Sequence, residues 1–264
     1  MKIKKNVTLY LRYASICIRS AMQYKMSFVL MILGRFLIAF TEFLAIKFLF
    51  SGLEEIKGYS YADVLLCFSI IQMSFAFAEL FGNGFKSFSF MVKRGEFDRM
   101  LLRPCSPILQ VIGTRFEIGR TGPLITAIIT LFIGVRNSQI DWNVARVLTL
   151  VFMILGGTFL FIGLFMIGAS LCFFTIEDTS IINVLTYGAK SHGKYPLDIY
   201  GKGIMSFCTY IIPYTLIQYY PLQYLLGKQS NVLLAFYPLG IVVFLVICYG
   251  VWCLGVRNYK SCGS

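Results

Sequence analysis

Long apolar runs constrain this chain more than any other feature. Residues 147–176, 203–227 and 229–256 contain no Asp, Glu, Lys or Arg. Three further runs are nearly as apolar: 27–50 with Arg35, Glu42 and Lys47, 63–85 with Glu79 after its first residue Asp63, and 117–135, which begins at Glu117 and has Arg120 near its start. A helix of about 20 apolar residues crosses a hydrocarbon core about 30 Å thick, and it satisfies its own backbone polar groups there. The six runs therefore predict an all-α membrane protein with six transmembrane helices. Composition agrees. The chain is 58% hydrophobic and 14% charged, with a mean hydropathy of +0.75, whereas soluble domains carry about 25% charge.

Six spans place both termini on one side of the membrane, and the basic residues identify which. The segments holding the termini and the loops after the second and fourth runs (1–26, 86–106, 177–202, 257–264) carry 16 Lys and Arg, against 4 in the opposite loops. Basic loops stay cytoplasmic, so both termini are expected on the cytoplasmic side of the plasma membrane. The net charge of +12 lies in short segments between spans, with no continuous stripe or nucleic-acid motif. Anionic lipid, and no nucleic acid, is the expected partner. The eight cysteines contain no C-x-x-C pair and fall mostly inside apolar runs, as small packing residues do.

Residues 1–26 lack the unbroken apolar core of a signal peptide. Lys5, Thr8, Arg12, Ser15 and Arg19 instead recur at helical spacing on one face. Val7, Leu11, Ala14, Ile18, Ala21 and Met22 form another. This pattern predicts an amphipathic helix lying in the membrane interface, or else a solvated cytoplasmic helix.

Between the second and third spans, Arg94-Gly95-Glu96-Phe97-Asp98-Arg99 leads to Leu102-Arg103-Pro104. The middle reads as a short amphipathic helix with Phe97, Leu101 and Leu102 on its apolar face. It ends before Pro104, because a residue preceding proline disfavours the helical region. An exposed aromatic-leucine face beside charges of both signs suits a protein partner. The other option is a loop that simply follows the charge rule.

The Gly-Glu-Phe-Asp…Leu-Arg-Pro run resembles ABC-2-type transporter permeases. So do the basic amphipathic start, the Pro196-Leu197-Asp198-Ile199-Tyr200 segment, and Ile212-Pro213 followed by Tyr219-Tyr220-Pro221. The resemblance implies an elbow helix at 1–26, a six-span domain at 27–256 and a cytoplasmic tail at 257–264. It also implies a coupling helix at about 93–106 seated on a cytoplasmic ATP-binding subunit, and a second permease, identical or related. On the same grounds Pro213, Tyr219, Tyr220 and Pro221 belong to a segment that re-enters the outer leaflet. A kinked helix with an interfacial tyrosine belt would explain those residues equally. The implied activity is export of an amphiphile, such as a lipid-like compound, a peptide or an antibiotic.

The chain offers no motor of its own. Gly188-Ala189-Lys190-Ser191-His192-Gly193-Lys194-Tyr195 has the G-x-x-x-x-G-K spacing, but Tyr195 stands where a Ser or Thr hydroxyl must hold magnesium. The segment is expected to be a flexible cytoplasmic loop, with ATP and magnesium on the partner subunit and no cofactor here. His192 has no metal-ligand partner at suitable spacing, and no catalytic constellation appears, so a non-catalytic subunit is expected. An ATP-independent secondary transporter is the alternative, although its internal repeats and midplane ion sites are not evident.

Arg35, Glu42 and Glu79 are the charged candidates within the spans. A charge at mid-bilayer costs about 2.5–3.5 kcal/mol on insertion scales, so each must pair or face a wet cavity. Arg35 and Glu42 lie two turns apart, too far for a direct bond. Glu42 could face Arg115 or Arg120. These charges either line the path or gate it, or they are structural pairs and snorkelling side chains.

Overall fold

The apolar runs fold as helices around one central member. The computed structural model describes residues 2–175 and 180–259, with side chains described from Val7 and, after the interruption, from Asn183. Helix α1 (Lys2–Met22) is followed by α2 (Lys25–Leu49) and a two-stranded hairpin, β1 (Glu55–Ile56) and β2 (Tyr59–Ser60). Lys57 and Gly58 both have positive φ, 50° and 75°, the mirror-image turn that tight hairpins require. Ser60 then caps α3 (Tyr61–Lys86): its hydroxyl accepts from the Asp63 amide while the Asp63 carboxylate accepts from the Ser60 amide. After α3 come α4 (Phe88–Lys93), α5 (Glu96–Leu101), α6 (Pro107–Thr114) and a 3-10 turn, Ile118–Arg120, that opens α7 (Thr121–Asn137). Helix α8 (Val144–Thr175) precedes α9 (Ser180–His192), a 3-10 turn at Leu197–Tyr200, α10 (Lys202–Tyr210) and α11 (Tyr219–Leu225). A 3-10 segment, Val232–Gly240, runs into α12 (Ile241–Asn258).

Among the described residues, five helical stretches are long and apolar enough to cross a membrane: Lys25–Leu49, Tyr61–Lys93, Ile118–Asn137, Val144–Thr175 and Val232–Asn258. Helix α3 is buried almost throughout, packed on α7 and α8, with α2 against α7 and α12 against α8. Small residues allow the close approaches, as expected where lipid gives helices no hydrophobic drive to associate. A Cβ on Gly122 of α7 would stand 2.5 Å from the Ile32 carbonyl oxygen of α2. One on Gly157 of α8 would stand 2.5 Å from the Ser74 hydroxyl of α3. The outward faces stay apolar, with Val29, Leu33 and Leu37 on α2 and Val242, Val246 and Ile247 on α12 all exposed.

Residues 203–227 do not form the single span that their lack of charge suggests. They are split into α10 and α11, nine and seven residues long. At Pro213 the ring removes a donor and disfavours helix at Ile212, and the Tyr214 amide instead donates back to the Cys208 carbonyl at 2.8 Å. Tyr214 packs edge-on to Phe161, midway along α8. The chain then returns to the hairpin end, where Lys228 donates to the Gly58 carbonyl at 3.0 Å. Residues 202–227 thus dip from one end of the bundle to about half its height and come back.

Residues 177–202 also differ from expectation. The segment read as a flexible loop contains α9, which runs antiparallel to α3. Tyr187 meets Glu79 near the C-terminal end of α3, Lys190 stands over the Phe75 ring, and Asp198 meets Tyr59 at its start. The P-loop-like spacing therefore straddles the end of this helix, with His192 as its last residue. With α9 packed antiparallel along α3, Lys190 and Lys194 leave the basic end and Lys202 moves to the hairpin end. The Lys and Arg tally becomes 13 against 5. Ile176, the tail residues 260–264 and the Lys5 side chain lie outside the described residues.

Candidate functional site

The intramembrane charges lie along the α2, α3 and α9 side of the bundle as a ladder of ion pairs. On the lowest rung the Arg35 guanidinium of α2 meets Glu117, just before α7, at 2.6 Å. Asn83 of α3 donates to the same carboxylate at 2.8 Å. One turn along α3, Glu79 is 1% exposed and balances two cations, Lys86 at 2.6 Å and Arg120 at 2.8 Å. The Tyr187 hydroxyl donates to Glu79 at 3.2 Å and accepts from Lys86 at 2.6 Å, which brings α9 into the rung. On the upper rung Glu42 of α2 pairs with Lys190 at 3.4 Å and Lys194 at 3.2 Å.

The three charged candidates thus have three separate sets of partners. Arg120 belongs to Glu79, so the suggested pairing of Glu42 with Arg115 or Arg120 is not the one formed. Glu42 reaches α9 instead. The sequence search missed Glu117, Lys86, Lys190, Lys194 and Tyr187. One signal was available: Tyr187, Lys190 and Lys194 recur at three- and four-residue steps, opposite Leu185 and Ala189, as on an amphipathic helix.

At the hairpin end a hydrogen-bonded network ties residues 202–227 down. The Tyr59 hydroxyl donates to Asp198 at 2.8 Å and accepts from Gln223 at 2.7 Å. Burial first, then the Asp198 carboxylate, pushes the Tyr59 phenol well above its usual pKa, so it remains a donor. Lys228 lies 3.4 Å from the centre of the Tyr59 ring.

At the other end, the segment from Lys93 to Ser106 is a tip with one buried anchor. Gly95, at φ 64°, turns the chain between α4 and α5 in a conformation that favours glycine. Phe97 does not face outward as its amphipathic spacing suggested; it is 0% exposed. Its ring sits among Phe88, Phe173, Trp252 and Tyr259, with centroids 5.0, 5.4, 6.3 and 5.2 Å away. These rings belong to α4, α8 and the end of α12, so α5 is fastened to the long helices. The buried Gln110 donates to the Met100 and Cys105 carbonyls, holding the tip's second half on α6. What remains outward is Leu102, 86% exposed, with Leu101, Lys93, Arg94, Arg99, Arg103 and Pro104. Arg94 stacks on Phe90, 3.9 Å from its ring centre. Glu96 and Asp98 are half-buried beside them.

Helix α1 presents two apolar faces. Tyr13, Ala14 and Cys17 pack toward α6, where the Cys17 thiol donates to the Thr114 carbonyl at 3.7 Å. Burial there raises the Tyr10 phenol to about 12. Val7, Leu11 and Met22 stay exposed on the adjoining face, next to Arg12 and Arg19.

An α-helical bundle with apolar outer faces and charges paired inside defines a multi-pass membrane protein. Its family is shown by comparison: the model of ABC-2 family transporter proteins matches residues 36–263, and the chain belongs to that family. No curated protein and no solved structure matches it. Family membership makes it a transmembrane subunit of an ABC transporter, a class that works with an ATP-binding subunit.

Proposed function

We propose that this chain is the permease half of an exporter for an amphiphilic compound, driven by ATP and magnesium held on a separate cytoplasmic subunit. The observation that carries the proposal is the tip from Lys93 to Ser106, which is apolar and basic outward and fastened by Phe97 to α4, α8 and α12. Leu102 and the surrounding cations are the docking surface, with Arg94, Gly95, Glu96, Asp98, Arg99 and Arg103 shaping it. ATP-driven movement of the partner would reach α8 and α12 through the Phe97 ring cluster.

Membrane crossings number six in this account: α2, α3, α7, α8, α9 and α12. The re-entrant segment of α10 and α11, with Pro213, Tyr219, Tyr220 and Pro221, lies on the outer side. Both termini face the bacterial cytoplasm, supported by 13 basic residues on that side against 5 on the other. Helix α1 lies in the interface with Val7, Leu11 and Met22 toward acyl chains. A second permease, identical or related, completes the path.

Reconstitution tests the proposal. In liposomes the chain with its ATPase subunit should move substrate with ATP and stand idle with an ion gradient alone. Transport by the chain alone under an ion gradient would establish a secondary transporter instead.

A further inference from the structure

The ion-pair ladder is unbalanced. Among the described residues that form it, Arg35, Lys86, Arg120, Lys190 and Lys194 contribute five positive charges, and Glu42, Glu79 and Glu117 contribute three negative ones. The excess lies where one carboxylate faces two cations, at Glu79 on α3 and at Glu42 on α2. These groups are incompletely covered. The five cations keep 17–28% side-chain exposure, whereas Glu79 keeps 1%. Aromatic rings flank them: Lys86 lies 4.7 Å from the Tyr187 ring centre and 5.3 Å from that of Phe165, and Lys190 lies 5.4 Å from that of Phe75. On α2, Ile38, one turn before Glu42, is exposed, and Leu37 and Leu33 continue the apolar surface round the helix.

Cations at membrane depth without enough carboxylate are costly and mark a path or a ligand. Among the described residues the three carboxylates of the ladder are already engaged, which leaves the excess open to a mobile anion. We propose that the cation cluster where α2 and α9 meet over α3 binds the anionic head group of an amphiphile, a phosphate or carboxylate, with the tail leaving past Ile38 onto the apolar surface of α2. Lys190 and Lys194 above, and Lys86 and Arg120 below, contact the head group. The inference rests on the permease assignment for its meaning, since it makes the cargo anionic, but the binding itself requires no ATPase.

Native mass spectrometry of the full chain in an uncharged detergent tests it, using dodecyl phosphate, dodecylphosphocholine and inorganic phosphate as probes. Dodecyl phosphate should bind about tenfold or more tightly than either of the others. Equal binding of dodecylphosphocholine would overturn the charge argument. Equal binding of inorganic phosphate would assign the site to an anion from solution and overturn the amphiphile. Lys190→Gln with Lys194→Gln removes the excess and should weaken dodecyl phosphate binding about tenfold; parent-like binding by a folded double variant would refute the site. Glu42→Gln alone raises the excess and should bind more tightly, and weaker binding would also refute the site even if the lysine variant does not fold. Loss of ATP-driven transport in reconstitution, with dodecyl phosphate binding intact, would separate failure of the permease assignment from failure of this one.

Discussion

Phe97→Ala should release the docking tip while leaving the long helices in place. The ring is fully buried and contacts four others at 5.0–6.3 Å. Truncating a buried Phe costs about 3–5 kcal/mol, including aromatic pair terms of about 0.5–1.5 kcal/mol each. Helix α5 has six residues, too few to stand alone, because a single turn fixes several dihedrals for little hydrogen bonding. The lost energy therefore appears as local opening. At 1.4 kcal/mol per tenfold, 3 kcal/mol corresponds to about a hundredfold rise in the open fraction. Limited trypsinolysis in detergent reports it directly, since Lys93, Arg94 and Arg99 lie in the tip. Cleavage there should accelerate about a hundredfold, with less acceleration in Phe97→Leu. Parent-like cleavage in Phe97→Ala would refute the anchoring role of the ring cluster.

Other perturbations address the remaining parts. Glu79→Gln leaves Lys86 and Arg120 without their shared carboxylate and should cost about 3–5 kcal/mol, read as a lower melting temperature in detergent. Gly84→Ala would drive a Cβ into the Val111 carbonyl of α6 and should destabilise by about 1–3 kcal/mol or more. Gly250→Ala, with open space around it, should leave the melt unchanged or raise it slightly. Arg12→Glu with Arg19→Glu should reduce binding of the isolated 1–26 peptide to anionic vesicles by about tenfold or more, at about 1 kcal/mol per basic residue lost. Unchanged vesicle binding would remove the interfacial assignment of α1.

The long uncharged or nearly uncharged runs were legible because length and hydropathy are local properties. Residues 27–50 and 147–176 lie within three residues of α2 and α8 at their described ends. Helix α9 was not legible because Lys190, Lys194 and His192 make it look like a loop. The carboxylate that pairs with both lysines is Glu42, 148 residues from Lys190. The converse error came at residues 203–227, where absence of charge suggested a span and Pro213 broke it. Arg35, Glu42 and Glu79 stood out as charges in apolar runs, but their partners depended on tertiary contacts. Phe97 was placed on the outward face because six residues of amphipathic pattern do not say whether an apolar side chain meets a partner or the chain's own core.

A photo-crosslinking amino acid placed at Leu102, in the full chain in native membranes, tests the central claim most directly. The account predicts a crosslink to an ATP-binding cassette subunit from Leu102 and none from Tyr210, which is equally exposed at 86% but far from the tip. An ATPase crosslink from Tyr210 and none from Leu102 would contradict the docking surface and the orientation of the chain together.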